Sequence, residues 1–289
     1  MSFTQVYEFR SYVGQNFYQG DLAPSTRSLS FGEGKLAWGL SAGLKLNDAF
    51  SINTKFVLGQ LVGDDADSPV SGRRERNLSF ASPLYEIGFN TEFYFNSVFP
   101  SLNKYGIKFY YTTGLNVFQF NPTAFLLDNF GEFQTIELQP LGTEGQGLPG
   151  FDEPYSLTQI NIPFGVGLKF HLFGRFELGI EIAPRWTFTD YIDDVSTEYL
   201  PYEVFIENGK PLAAQLSNRS GDFFGTGPVL GSESGIRRGN SENNDWYLFA
   251  SIYVAYNIGP SYEPLPLGPV KSIDETILTT PDESIDQDN

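Results

Sequence analysis

The chain has no cysteine, one histidine and one methionine among its 289 residues. Without cysteine there is no disulfide framework, no thiolate metal site and no cysteine nucleophile. The lone imidazole, His171, has no second histidine to act with. Basic residues are scarce too. Eighteen Lys and Arg against 35 Asp and Glu give a net charge of −17, which argues against nucleic acid or an anionic surface as partner. No apolar run approaches the ~18 residues of a transmembrane helix, so a membrane span here has to be built from strands. The opening residues, Met-Ser-Phe-Thr-Gln-Val-Tyr-Glu, carry no basic region, apolar stretch or small-residue cleavage site. Either the protein is cytosolic, or the chain begins at or near a mature N-terminus with Met1 added. The second is expected, because the pattern downstream requires export.

What is plentiful is aromatic residue and glycine: 27 Phe, 16 Tyr and 30 Gly. The length admits one large barrel or two ordinary domains, and the placement of the aromatics decides between them. In 160–172, Ile160, Ile162, Phe164, Val166, Leu168, Phe170 and Leu172 alternate with Asn161, Pro163, Gly165, Gly167, Lys169 and His171. A period of two over this length predicts a strand with one apolar and one polar face. Seven further stretches repeat the alternation: 5–18, 35–46, 49–61, 84–95, 104–120, 176–189 and 246–258. In 246–258 the second face is itself half aromatic. Pro184 cannot donate to a ladder, so a bulge or register change is expected there.

On this parity no apolar face carries a charge. Glu8, Arg10, Lys35, Lys45, Lys55, Glu86, Glu92, Lys108, Lys169, Glu177, Glu181 and Arg185 all fall on the other side, as do the strand glycines. Connections alternate in length: 19–34, 62–78, 121–154 and 190–245 are long, whereas 47–48, 96–103 and 173–175 are short. A soluble sandwich would have to pack eight uncharged faces on one another while leaving such loops outside. The pattern instead predicts an all-β, eight-stranded, up-and-down antiparallel transmembrane barrel in the outer membrane, with long loops outside and tight periplasmic turns. Lipid is then its first partner. Trp38, Phe95, Tyr105, Trp186 and Trp246 suit the interfacial girdles. Residues 1–259 form the barrel, and the Pro-rich, then acidic 260–289 reads as a disordered periplasmic tail.

Eight strands leave an interior that side chains fill, and buried charges persist only when paired. A salt-bridged lumen network is therefore expected, with Glu8, Glu86, Glu92, Glu177 and Glu181 facing Arg10, Lys35, Lys45, Lys55, Lys108, Lys169 and Arg185. It reads as a packed polar core rather than an ion path. His171 has no Gly-x-Ser-x-Gly elbow to serve, so an inert histidine is the better reading and no catalytic residue is assigned. Asp64, Asp65 and Asp67 alternate as weak cation candidates but lack the remainder of an EF-hand loop. Pairing with Arg73, Arg74 or Arg76 is favoured over a metal. Asp190, Asp193 and Asp194 are treated the same way. No cofactor is expected.

Several loop segments carry a family resemblance. They are Tyr18-Gln-Gly-Asp-Leu22, Gly63-Asp-Asp-Ala-Asp-Ser68 with Arg76-Asn-Leu-Ser-Phe80, and Leu138-Gln-Pro-Leu-Gly-Thr-Glu-Gly-Gln-Gly147. Tyr155-Ser-Leu-Thr-Gln159, Ile162-Pro-Phe-Gly165, Phe188-Thr-Asp-Tyr-Ile-Asp-Asp-Val-Ser196, Arg238-Gly-Asn240 and Asn244-Asp-Trp-Tyr247 continue it. In these the chain resembles the PorG-like outer-membrane barrels of the type IX secretion system and their paralogues. The resemblance implies a non-enzymatic structural or anchoring component linked to a periplasmic secretion-ring lipoprotein. The tail after Gly259 has no counterpart in it. Partner contacts are expected at the periplasmic turns and tail, at Asn47, Asp48, Phe173, Arg175, Asp274 and Glu275. The alternative is a surface-binding or adhesion barrel working through 121–154 and 190–245. A lipid-modifying enzyme using His171 is third.

Overall fold

A computed structural model describes residues 5–24, 32–127, 130–227, 229 and 235–259, with Lys104 and Tyr105 described in backbone alone. The tail 260–289, with Asp274 and Glu275, lies outside the described residues, as does part of the first long loop. Ten strands follow in chain order: β1 (Val6–Gln19), β2 (Lys35–Lys45), β3 (Phe50–Asp64), β4 (Ser79–Tyr94), β5 (Ile107–Phe120), β6 (Thr123–Leu127), β7 (Phe133–Glu137), β8 (Thr158–Phe173), β9 (Phe176–Thr187) and β10 (Trp246–Ile258). All pairings are antiparallel, in the order β3-β2-β1-β10-β9-β8-β5-β4, and β3 pairs β4 to close the ring. This is the eight-stranded up-and-down barrel expected from the alternation.

Registers fix its geometry. Paired residues followed round from Arg10 run through Ser41, Lys55, Gly88, Asn116 and Asn161 to Thr187. Trp186, one residue before Thr187, pairs with Trp246, and Trp246 with Gln19. The circuit therefore returns to β1 at position 20, ten residues beyond its start (20 − 10 = 10). Such a stagger tilts the strands strongly, and with eight strands it leaves a lumen just wide enough for side chains.

The outside is apolar and open to solvent or lipid: Phe89 is 76% exposed, Leu40 and Trp186 61%. Outward positions from Tyr7, Leu46 and Phe50 at the turn end to Tyr85, Trp186 and Trp246 at the loop end carry no charge. In water such a continuous apolar band would be untenable. Hydrocarbon is its matching solvent, because the closed ladder leaves no free edge. The chain is thus an outer-membrane barrel. No helix among the described residues is long and apolar enough to cross a membrane.

Four expectations need correction. The stretch 121–154 is not simply loop: Pro122 interrupts β5, and the chain resumes as the β6–β7 hairpin, joined to β4 at Ala81 and Thr123. The longest loop folds into α2 (Tyr202–Glu207), α3 (Pro211–Ser217) and α4 (Ser220–Phe224), while 62–77 contains α1 (Ser71–Arg76). The turn 96–103 is made of short 3-10 segments, Phe95–Ser97 and Pro100–Tyr105. Pro184 causes no bulge. The β8–β9 register is constant across it, with pairing absent only opposite Phe164 and Gly165, and the one shift lies between His171 and Phe173.

Candidate functional site

The lumen is filled from the periplasmic end by charge. Arg10 makes a two-pronged bond to Glu92 (2.5 and 2.7 Å) and a closer contact to Glu8. Glu92 also accepts from Ser51 (3.0 Å), Asn53 (3.1 Å) and Tyr94 (2.6 Å). Lys169 meets Glu8 at 2.6 Å, and Lys108 meets Glu177 at 3.0 Å. Lys55 reaches across the barrel to Glu181, which also accepts from Tyr110 (3.0 Å). Nearer the loops, Glu86 receives Arg185 (3.1 Å), Tyr247 (2.6 Å) and Asn161 (2.9 Å). Five cations thus face five carboxylates, each with at least one opposite partner. That balance is what lets charge stay buried.

Lys45 does not join this network. It ends β2, and its ammonium turns to Asp48 (2.9 Å) at the turn. Lys35, also expected there, is exposed at the loop end of β2, whereas Glu8 and Glu177 take part as expected. Tyrosine is the part that charge counting missed. Arg10 lies 5.0 Å from the Tyr253 ring, Lys55 4.7 Å from Tyr12 and Lys169 5.0 Å from Tyr94, contacts that soften the burial of each cation. Tyr110 and Tyr253 lie over Gly167 and Gly179 of the paired strands, where a Cβ would run into the ring. These glycines therefore make room for a neighbour's ring. Their signal was visible, since every one of these tyrosines sits at a polar-face position.

Above the lumen the loops build a cap with its own core. Tyr18, Leu22, Leu61, Leu84, Phe118 and Phe120 from the barrel rim meet Leu138, Ile192, Val195 and Leu216 from the loops. Polar groups fasten it. Arg76 bonds Asp65 (2.7 Å) and the carbonyls of Asp21 and Arg238. Arg238 bonds Glu144 (2.8 Å) and the carbonyls of Asp194 and Ser217. Burial pulls the Arg238 pKa down, but Glu144 and Asp194 more than offset it and hold the guanidinium above its usual range.

A carboxyl cluster lies at the centre of the cap. The Tyr18 hydroxyl is 2.6 Å from Asp193 and 3.1 Å from Asp245. A hydroxyl has one hydrogen, so it donates to one carboxylate; the other contact is attractive only when that carboxyl is protonated and donates back. Burial, then neighbouring carboxylates, push Asp245 well above the usual range. Burial likewise pushes Asp190 up to about 8, Asp193 to about 7 and Asp194 to about 6.

Of the three weak cation candidates Asp67 is exposed, and the other two are otherwise engaged. Asp65 is held by Arg76 and Arg73, and Asp64 accepts from the Ala66 N–H (2.8 Å). Among the described residues no group of His, Asp or Glu is arranged to hold a metal. Asn47 closes its turn by accepting from Ala49 and Phe50 (2.8 and 2.9 Å), while Arg175 donates to the carbonyls of Asn257 and Gly259. Phe173 is 61% exposed and tilts against Phe176. His171 sits half-buried opposite Glu177. Between these turns the lumen opens as a vestibule of about 520 Å³ lined by Glu8, Lys45, Asp48, Asn96, Lys108 and Glu177.

Residues 1–134 match a family described as a domain of unknown function, DUF6089. Among curated proteins none matches. Among solved structures the chain is similar to Neisserial surface protein A, at 10% identity over 86% of this chain and 96% of that one, TM-score 0.42. It is also similar to Ail, the attachment invasion locus protein of Yersinia pestis (9%, 88% and 99%, 0.38), and to a major outer membrane protein of Thermus thermophilus (12%, 87% and 99%, 0.40). At these identities and scores the likeness carries no functional argument.

Proposed function

We propose that this barrel is a non-conducting, non-enzymatic structural component of the outer membrane, anchoring a protein secretion apparatus of the type IX kind through its periplasmic end. The observation that carries the reading is the double closure of the lumen. A charge-balanced plug fills the membrane level, and an apolar cap seals the loop end. A barrel stoppered twice has nothing to transport, so its use lies in its ends. Segments that resemble PorG-like proteins meet in the cap: Tyr18 bonds Asp193, Asp193 accepts from the Leu22 N–H, and Arg76 joins Asp65, the Asp21 carbonyl and the carbonyl of Arg238, which bonds Glu144.

On this reading a periplasmic lipoprotein engages the vestibule and the turns at Asn47, Asp48, Phe173 and Arg175, with Asp274 and Glu275 of the tail as further contacts. Photo-cross-linking from positions 48, 173 and 275 in intact envelopes tests it. One periplasmic lipoprotein captured from all three positions is expected; no lipoprotein captured from any of the three would overturn it.

A second reading, a surface-binding barrel, is favoured by one feature. A cleft of about 500 Å³ in the cap is lined by Glu144, Phe151, Tyr191, Glu198, Tyr199 and Arg237. Exchange of 190–245 for a short turn separates the two. It abolishes function on the second reading and spares assembly on the first.

A further inference from the structure

Unlike the closed barrel beneath it, the β6–β7 hairpin ends in an open edge. Among the described residues β7 pairs with β6 alone. The Leu138 N–H donates to the Pro122 carbonyl (2.9 Å). In the antiparallel alternation Ile136 then bonds Ala124, and Gln134 bonds Leu126. The main-chain N–H and C=O groups of Phe133, Thr135 and Glu137 therefore point away from β6, along the open side. The side chains of these three residues face outward as well. Leu126 and Ile136 pack inward on the cap core, whereas Phe125, Leu127 and Phe133 are 51%, 56% and 76% exposed. Leu127 is paired with Phe133 and Phe125 with Thr135, so the exposed apolar side chains form one patch beside the edge. Sheets ordinarily blunt such an edge with lysine, proline or a bulge. β7, Phe-Gln-Thr-Ile-Glu, has none of the three.

We infer that β7 is a docking edge for one extended segment of a partner polypeptide, which adds antiparallel as a third strand of the hairpin. Position argues against lipid as the occupant. Thr123 pairs with Ala81, four residues beyond Tyr85 at the upper rim of the apolar band (85 − 81 = 4). That is about 13 Å further along the strand, and open main chain is not tolerated in hydrocarbon. Charge argues against a second copy. The stretch 123–137 contains Asp128, Glu132 and Glu137 and no Lys or Arg. Antiparallel self-pairing about Thr135 would also set each Glu137 against the Phe133 ring of the other copy. Among the described residues Glu137 has no ion pair and accepts only from the Asn121 side chain (3.0 Å). The complementary strand therefore carries a basic residue opposite Glu137, a β-branched one opposite Thr135 and an apolar one opposite Phe133. This contact lies at the other end of the molecule from the periplasmic turns and does not depend on the anchoring role.

The probe is a fluorescein-labelled synthetic peptide, Ser-Lys-Thr-Val-Thr-Leu-Ser, in which Lys, Val and Leu stand opposite Glu137, Thr135 and Phe133. The full chain, folded in mild detergent, is titrated against it to about 1 mM and read by anisotropy. Saturable binding of one peptide per barrel is expected. N-methylation of the peptide's Val and Leu amides removes donors to β7 and should weaken binding about tenfold. N-methylation of its two Thr amides, which point away from β7, should leave binding within about twofold. Thr135→Pro deletes an N–H on the open side and spares the bonds to β6. It should abolish binding, with the heat-modifiable gel shift of the folded barrel unchanged. E137Q should weaken binding about threefold, the scale of one exposed charge contact. No saturable binding by the folded chain, equal losses from the two methylation patterns, or binding untouched by Thr135→Pro would overturn the proposal. A doubled mass in light scattering that Thr135→Pro abolishes would assign the edge to a second copy instead. Binding lost on transfer of the barrel to lipid nanodiscs would assign it to lipid.

Discussion

The plug and the cap both bury carboxylates and keep them by opposite means. In the plug, Glu8, Glu86, Glu92, Glu177 and Glu181 each face a cation on another strand. In the cap, Asp21, Asp65, Glu144, Asp190, Asp193, Asp194 and Asp245 share Arg73, Arg76 and Arg238. Seven acids against three cations cannot all be ionised at depth, so the cap keeps some as neutral acids. One protein thus contains a charge-paired region held by Coulomb attraction and a proton-paired region held by hydrogen bonds. The second responds to ordinary pH.

The largest expected effect breaks the paired side. Arg10→Ala strands Glu92 with three neutral donors and Glu8 with Lys169 alone. It should destabilise the barrel by about 3–5 kcal/mol, read as a lower urea midpoint for unfolding from detergent or lipid. Arg10→Met with Glu92→Gln should recover much of that loss, because the plug then buries no orphan charge.

Next in size is Arg238→Ala, which leaves Glu144 and Asp194 facing each other in the cap. A local loss of about 3 kcal/mol is expected. Rapid proteolysis of 190–245 should follow, with the heat-modifiable barrel intact. Loss of the folded band would mean that the cap and barrel form one cooperative unit.

The pH response sharpens the contrast. Asp190, Asp193 and Asp194 have folded-state values raised to about 8, 7 and 6, above their unfolded range. The unfolded loop therefore binds fewer protons than the folded cap. Stability from these groups is fully present near pH 4 and is lost as pH rises through about 6 to 8. Hydrogen exchange in 190–196 should accelerate over that window while β1 and β4 stay protected. Acceleration on acidification would reverse the assignment.

The smallest effect is steric. Gly179→Ala pushes a methyl into the Tyr253 ring and should cost about 1–3 kcal/mol, whereas Gly72→Ala, in α1 with open space around it, lacks that clash.

The barrel was legible because a two-residue period admits one parity at a time. Once Ile160 and Phe164 face lipid, Lys169 must face the lumen. The plug's membership followed from that parity, except where a strand end let Lys45 escape to Asp48. What the parity could not show is which charge meets which: Lys55 and Glu181 are far apart in the chain and meet only once the stagger is known. The cap was illegible for a stronger reason. Tyr18 comes from the end of β1, and Asp193 and Asp245 from opposite ends of the 190–245 loop, with no period between them, and the carboxylates read as solvated until burial is seen. Short helices such as α2 to α4 are held by that packing, so their local sequence is a weak signal.

The central claim is that the lumen is closed, and single-channel recording in a planar bilayer meets it most directly. The full chain should insert without producing discrete conductance steps at neutral pH, and should remain silent at pH 8.5 even as the cap loosens, because the plug stays in place. Stable steps from the unaltered protein would mean that an open path runs past Arg10 and Glu92, and the account of a stoppered anchor would be wrong.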